Sequence, residues 1–194
     1  IPGGVQECGT DEVGEICVAN PGVYAGSTYT EADKNKDLFA EGIYLRTGDL
    51  GRIDADGYLW ITGRAKDLII RGGHNIDPQM IEEALHKHPA VAMAAAVGKP
   101  DEKAGELPVV YVQLKPGAQT SETELLEHAA AHIPERAAVP KDAWIIDAIP
   151  LTAVGKTFKT ALRLDAISRV YQASFDEMHP PVPFDVLSYY RDGH

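Results

Sequence analysis

The N-terminal part of the chain alternates short apolar runs with turn-forming residues, a pattern typical of β-strands. Residues 13–18 have the composition of a strand. The segment 54–57, with the sequence DADG, favours a tight turn between the apolar runs 50–53 and 58–61. We therefore predict a β-hairpin within an all-β N-terminal piece.

The pattern changes after Gly73, where apolar residues begin to recur at helical spacing. Asp77 can cap a helix whose first residue is Pro78, a favoured arrangement at a helix N-terminus. This helix is predicted to end near His88, because Pro89 cannot continue it.

The remaining pattern indicates a small α+β unit. Ser121 can cap a further helix, and Glu124 stands at the capping-box spacing. The predicted strands cover 91–98, 109–114 and 144–146, and the predicted helices cover 78–88, 121–132 and 159–170. We expect helices packed against a small antiparallel sheet, and therefore an α+β fold.

Composition is that of an ordinary soluble globular protein, with 44% hydrophobic and 24% charged residues. The net charge of -11 argues against non-specific binding to nucleic acid, because the phosphates would be repelled. The longest apolar run, 91–97, is too short to cross a bilayer. Cys8 and Cys17 indicate neither a disulfide framework nor a four-ligand zinc site, and we infer a reduced, cytoplasmic setting.

Histidine spacing raises one candidate metal site. His128 and His132 stand four residues apart on a predicted helix, but the sequence offers no third ligand and no His-Glu-x-x-His pattern. We interpret both as helix-face histidines and predict no metal site. The opening residues 1–4 read as a mid-chain loop, so we expect the chain to be part of a longer protein.

Four short motifs carry the chemistry. In chain order they are YLRTGDLG at 44–51, GRAKDLI at 63–69, GGHNIDP at 72–78 and PLTAVGK at 150–156. Together they resemble the adenylate-forming superfamily, which includes acyl-CoA synthetases, peptide-synthetase adenylation domains and luciferases. The resemblance implies three segments: 1–65, the β-rich end of the large N-terminal domain; 66–170, a mobile C-terminal α+β domain; and 171–194, an irregular tail.

The resemblance implies that Asp49 and Arg64 bind the nucleotide. An ionised Asp has about four lone-pair directions and can accept both ribose hydroxyls. Arg64 offers a planar fork of donors to ribose or phosphate. Without the other motifs, Asp49 would be read as a surface-turn carboxylate and Arg64 as an ordinary salt-bridging residue.

Lys156 is the candidate catalytic residue. When a carboxylate attacks the α-phosphate of ATP, two anions meet, and a compact ammonium between them stabilises the transition state. A lone Gly-Lys pair is usually a loop with a surface lysine, but the surrounding motif and a following helix favour the catalytic interpretation. Lys159 and Arg163, on that helix, are interpreted as solvated charges.

Three further positions follow from the resemblance. Lys66 matches the hinge about which the C-terminal domain rotates, although a solvated loop lysine fits the same residue. Gly72 and Gly73 match the loop that meets the pantetheine arm of CoA, and they also suit a hairpin turn. Lys141 is a candidate basic contact for CoA, whereas the neighbouring Ala137 departs from the pattern, because members often carry a basic residue there.

The sequence thus predicts the C-terminal part of an ATP-dependent acyl-CoA synthetase that uses ATP, Mg²⁺ and CoA to activate a fatty or aryl carboxylic acid. Its further partner would be the rest of its own N-terminal domain. A phosphate-binding loop and an acyl pocket are missing, so this stretch is not expected to catalyse alone. An adenylation domain that serves a carrier protein, and a non-catalytic α+β binding module, remain the alternatives.

Overall fold

The structure, a computed structural model, describes residues 6–23, 28–35, 37–178 and 185–189. The chain divides into two compact units, Ile1–Lys66 and Asp67–His194. No helix in these described ranges is long and apolar enough to cross a membrane. Each unit has its own sheet.

The N-terminal unit is built around one long strand. Its elements are β1 (Gly14–Val18), α1 (Ala32–Asn35), β2 (Phe39–Ala40), β3 (Tyr44–Ile53) and β4 (Leu59–Arg64). Strand β3 pairs antiparallel with each of the other three strands. Apart from the single turn of α1, the all-β prediction for this piece is confirmed.

The predicted hairpin connects β3 and β4. The Asp54 carboxylate accepts hydrogen bonds from the backbone N–H groups of Asp56 and Tyr58, at 3.0 and 2.9 Å, and from the Trp60 indole at 2.6 Å. These bonds, led by that of Trp60, favour the ionised carboxylate and lower the pKa of Asp54. The Asp54 side chain therefore reinforces a turn that backbone bonds between Asp54 and Tyr58 and between Gly57 and Asp54 also close.

The C-terminal unit contains a five-stranded sheet. Its strands are β5 (Ile69–Arg71), β6 (His74–Ile76), β7 (Val91–Asp101), β8 (Gly105–Leu114) and β9 (Asp142–Ile145). Antiparallel pairing joins β6 to β5, β5 to β8 and β8 to β7, whereas β9 pairs with β8 in parallel. The expected antiparallel sheet is thus present, with one parallel strand added. Two parallel strands that follow each other in the chain must be joined by a long crossover connection. The segment between β8 and β9 contains a helix and provides this connection.

Three helices cover this sheet: α2 (Pro78–His86), α3 (Glu122–His132) and α4 (Lys159–Glu177). Both predicted caps are confirmed. The Asp77 carboxylate accepts from the Gln79 N–H at 2.9 Å, and the Ser121 hydroxyl accepts from the Glu124 N–H at 3.1 Å. The α+β prediction therefore holds.

The two faces of the β7–β8 pair belong to different core clusters. Ala94, Ala96, Val110 and Val112 pack with residues of α2 and α3, whereas their neighbours Ala95, Val97, Val109 and Tyr111 pack with Leu162 and Ala166 of α4. Alternate residues of a strand point to opposite faces. Burial of both faces explains why 91–97 is a continuous apolar run.

Helix α4 is longer than predicted. It ends at Glu177 and not at Val170, so residues 171–177 are helical and not part of an irregular tail. No Gly or Pro interrupts this stretch, and the Gln172 amide donates to Asp176 at i, i+4, a pairing that supports a helix. Of the rest of the predicted tail, 179–184 and 190–194 lie outside the described residues.

Three histidine rings lie together where α3 meets the end of α2: His128 stacks on His132 and contacts His88 edge to face. His128 Nε2 donates to the Ala84 carbonyl at 3.1 Å, and its ring centroid lies 4.0 Å from that of His132 and 4.9 Å from that of His88. Burial lowers the pKa of His128, as do the charges of His132, His88 and Lys87, while the bond to Ala84 opposes the shift.

This stack predicts acid-sensitive stability. A folded-state pKa below the ordinary 6.5 means that the unfolded chain binds more protons, so stability is complete above that value and declines as pH falls through it. Unfolding of a Trp60→Phe chain, followed by Trp144 fluorescence at about pH 7.5 and about pH 5.5, should show lower stability in acid. His128→Gln should reduce this difference. An unchanged pH dependence in that variant would contradict the assignment.

Candidate active site and its relatives

Asp49 and Arg64 lie directly opposite each other on β3 and β4. The Arg64 Nε lies 2.9 Å from Asp49 Oδ1 in an ion pair, and the two side chains are 52% and 33% exposed. An ion pair this exposed adds little stability. Both groups keep unused hydrogen-bonding positions, since a guanidinium has five donors and a carboxylate about four acceptor sites. The pair therefore offers an acceptor and several donors on one accessible surface.

Glu15, which sequence reasoning missed, holds the part of β3 that precedes Asp49. Its carboxylate accepts from the Arg46 Nε at 2.9 Å and, more weakly, from the Gly48 N–H at 3.3 Å. The bond to Glu15 raises the pKa of Arg46. The Thr47 hydroxyl donates to the Ile16 carbonyl at 2.7 Å, a further tie to β1. Glu15 lies within a strand, and no sequence pattern around it indicates this contact.

Lys66 is the last residue of the N-terminal unit. It lies in a 3-10 turn, Ala65–Asp67, and its side chain is exposed. Among the described residues its ammonium makes no ion pair.

Gly72 and Gly73 form the turn between β5 and β6. Their φ angles of 56° and 87° lie in the left-handed region, and a Cβ added at either would meet no atom within 4 Å. Backbone conformation, and not crowding within this unit, is therefore what requires glycine. The hairpin is anchored through the Gly72 N–H, which donates to the Ala104 carbonyl at 2.7 Å, and the Ile70 N–H, which donates to Glu106 at 2.8 Å.

A cationic cleft of about 970 Å³ lies beside this turn. Gly72 and the predicted Lys141 both line it. The cleft also contains four basic or titratable residues that sequence reasoning missed: Arg71, His74, Lys103 and Arg136. None of the described lining residues is acidic. In a chain of net charge -11 such a cleft is a local site for anions.

Lys156 lies at the tip of a tight loop. The Thr152 N–H donates to the Lys156 carbonyl at 2.7 Å, and the Lys156 N–H donates to the Thr152 hydroxyl at 3.1 Å. Gly155, with φ of 77°, supplies the left-handed residue that the turn needs. The Lys156 side chain is exposed, and no described residue pairs with its ammonium. The fold thus presents a cation without a described partner on a backbone held by hydrogen bonds.

The interpretation of Lys159 and Arg163 as solvated charges was wrong. Lys159 Nζ lies 2.8 Å from Glu82 Oε1, and both side chains are only 18% exposed. Arg163 Nη1 lies 4.0 Å from Asp67 Oδ1, and its buried Nε has no hydrogen-bond partner among the described residues. Both cations stand on the side of α4 that packs within the unit, a fact that helical spacing alone did not reveal.

Comparison with known proteins indicates the family of the chain. Residues 80–156 match the family model of the AMP-binding enzyme C-terminal domain. Marinolic acid–CoA ligase of Pseudoalteromonas sp. (strain SANK 73390) is 47% identical over 182 residues, which are 94% of this chain and 28% of that protein. The medium/long-chain-fatty-acid–CoA ligase FadD8 of Mycobacterium tuberculosis is 39% identical, over 78% of this chain and 27% of its own length.

Solved structures give the same result. ATP-bound MatB from Rhodopseudomonas palustris superposes with a TM-score of 0.74 at 33% identity, covering 81% of this chain and 31% of that one. The o-succinylbenzoate CoA synthetase MenE from Bacillus subtilis, in complex with the acyl-adenylate intermediate OSB-AMP, gives 0.70 at 35% identity, with 80% and 31% covered. The chain thus spans less than a third of each of these relatives. On these matches, its fold and its four motifs, the chain belongs to the adenylate-forming superfamily of AMP-binding enzymes.

Proposed function

We propose that the chain is the C-terminal part of an ATP-dependent acyl-CoA synthetase. The observation that carries this proposal is the free, exposed ammonium of Lys156 on a loop closed by Thr152. The two curated relatives described above are CoA ligases, and MatB binds ATP in its solved structure. The whole protein would convert a carboxylic acid and ATP to an acyl-adenylate, and then transfer the acyl group to CoA.

In the first half-reaction a carboxylate oxygen attacks the α-phosphorus of ATP, a new P–O bond forms and pyrophosphate leaves. Lys156 would lie between the incoming carboxylate and the phosphate, offsetting their repulsion and the charge that develops on the phosphoryl oxygens. An ammonium already bound in an ion pair would be less available for this task. Its freedom from any described partner therefore supports the assignment.

Asp49 and Arg64 would hold the ribose. Asp49 would accept the two hydroxyls, and Arg64 would steady its carboxylate through the 2.9 Å contact while offering its remaining donors to the nucleotide. The described residues contain no group of three or more His, Cys, Asp or Glu that could hold a metal ion. Mg²⁺ would arrive bound mainly to the phosphates of ATP, whose negative charge it would neutralise.

In the second half-reaction the CoA thiolate attacks the acyl carbonyl and AMP leaves. The Gly72–Gly73 turn has open space above it, which a pantetheine arm can occupy. The cationic cleft beside the turn suits the 3′-phosphate and pyrophosphate of CoA, with Lys141 and Arg136 as donors. Arg136 would supply the charge that Ala137 lacks. Lys66 would be the hinge about which the C-terminal unit rotates between the two half-reactions. This rotation would replace the Lys156 loop with the Gly72–Gly73 turn at the reacting group.

The assignment of Lys156 to the first half-reaction and of Gly73 to the second can be tested on the full-length ligase. Lys156→Ala should lower acyl-adenylate formation by about 10²–10³-fold, because loss of one preorganised charge contact costs about 3–4 kcal/mol. The same variant, given presynthesised acyl-adenylate, should still form thioester. Gly73→Leu should do the reverse, because its side chain would occupy the space left for the thiol. Each half-reaction is assayed separately for each variant.

Folding must be verified in this test, since Gly73→Leu introduces a left-handed leucine at a cost of about 1–2 kcal/mol. Gly117→Leu is a matched control, because Gly117 has φ of 77° and equally open space but lies outside the β5–β6 turn. Equal loss of both half-reactions in Lys156→Ala and Gly73→Leu would contradict the two-step assignment.

Variants of the cleft can test whether CoA is the acceptor of the acyl group. Arg136→Gln and Lys141→Gln should each raise the KM for CoA about tenfold, because a hydrogen bond to a charged group contributes about 1.5 kcal/mol or more. The KM for ATP should not change. Lys115→Gln is the control, since its ammonium donates to the Pro89 carbonyl outside the cleft. If both cleft variants bind CoA normally but lose transfer to a phosphopantetheinyl carrier protein, the acceptor is the carrier.

A further inference from the structure

We propose that Glu82 and Lys159 are positioning residues for Lys156, and that their ion pair sets where the ammonium of Lys156 points during adenylation. The inference rests on the proposed role of Lys156. It concerns two side chains, one on α2 and one at the first position of α4, that do not themselves touch a substrate.

Glu82 connects three elements through one oxygen atom. Its Oε1 accepts the backbone N–H of Ala96 on β7 at 2.9 Å and lies 2.8 Å from Lys159 Nζ. The carboxylate is thereby fixed to the sheet by a backbone bond, and Lys159 is fixed to the carboxylate. The start of α4 is in this way tied to the central strand pair of the unit.

Helix α4 needs this attachment, because its N-terminus lacks the usual capping interactions. The residue at the cap position, Phe158, makes no side-chain capping bond, and the first turn contains no acidic residue. A cation in the first turn is opposed by the positive end of the helix dipole. Lys159 is therefore unfavourable for the helix alone, and its pairing with Glu82 offsets that cost.

The loop that carries Lys156 is internally rigid. The Phe158 N–H donates to the Pro150 carbonyl at 2.8 Å, and Leu151 and Thr157 form an isolated β-bridge. A closed loop of this kind moves as one piece, so its direction depends on how its two ends are held. One end is held by Ile149, which is buried and whose N–H donates to Gln113.

The other end is held at Lys159, only three residues after Lys156. Leu162, one turn later, is the first fully buried apolar residue of α4. The Glu82–Lys159 pair is thus the attachment nearest to Lys156 on this side. A partly buried ion pair adds little net stability, because desolvation offsets the attraction. What it supplies here is orientation, on which a charge contact in a transition state depends strongly.

The test uses the full-length ligase and three variants. Glu82→Gln removes the charge but keeps an oxygen that can accept the Ala96 N–H, so it isolates the ion pair from the bond to β7. Glu82→Gln and Lys159→Met should lower kcat for acyl-adenylate formation by about tenfold to about a hundredfold, the range expected for a displaced catalytic group. The KM for ATP should change little, and thioester formation from presynthesised acyl-adenylate should keep its rate. Lys159→Arg should restore most of the adenylation rate.

Two controls make the outcome decisive. Glu83→Gln alters the adjacent carboxylate, which is exposed and bonded to Gln79, and should leave both half-reactions unchanged. Lys156→Ala tests the proposed function itself: normal adenylation in that variant refutes the role of Lys156. If Lys156→Ala loses adenylation while Glu82→Gln and Lys159→Met keep it, the positioning proposal is overturned.

Equal loss of both half-reactions in Glu82→Gln and Lys159→Met would also overturn the positioning proposal, because it would indicate general destabilisation. If Glu82→Gln does not fold, the comparison of Lys159→Met with Lys159→Arg decides the question by itself.

Discussion

Two-sided burial of the β7–β8 pair is the constraint on which the C-terminal unit depends. Alternate residues of these strands enter two different cores, one shared with α2 and α3 and the other with α4. Small alanines on β7 let helices approach from both faces. Two of these helices then hold motif segments in a defined place: α4 follows the Lys156 loop, and α2 follows the Gly72–Gly73 hairpin.

The Tyr111 hydroxyl makes polar contacts with α4 on this face of the core. The Tyr111 hydroxyl donates to Asp165 Oδ2 at 2.6 Å, and the Arg169 guanidinium also donates to that carboxylate oxygen at 2.6 Å. Burial, and then the bond to Asp165, raises the pKa of Tyr111, so the phenol stays a donor. The contact selects one register of α4 on the sheet, since a slipped helix would leave a buried hydroxyl without a partner. Register of α4 in turn determines where Lys159 meets Glu82.

Three glutamates share one structural role. Glu15, Glu82 and Glu106 each accept a backbone N–H from another segment, those of Gly48, Ala96 and Ile70 respectively. Each bond lies next to a motif: the part of β3 around Asp49, the start of α4 after Lys156, and the hairpin of Gly72 and Gly73. A charged acceptor makes a stronger hydrogen bond than a neutral one. Carboxylates at these points therefore stiffen the segments that carry chemistry.

Local pattern in the sequence determined much of the fold. Strand alternation, the caps at Asp77 and Ser121, and the DADG turn are interactions within a few residues, so they can be read without the rest of the chain. The order of four motifs likewise indicated the family. Local pattern was less informative at the end of α4, where helical residues continue past Val170 without a stop signal.

Tertiary structure alone decided which charges are paired and which are free. Lys156 and Lys159 are three residues apart and look alike in sequence, yet one is exposed without a described partner and the other is bound to Glu82. The cationic cleft likewise gathers Arg71, Lys103 and Arg136 from distant parts of the chain. Electrostatic contacts depend on distance in space, and residues far apart in sequence meet only through the packing of the sheet and its helices.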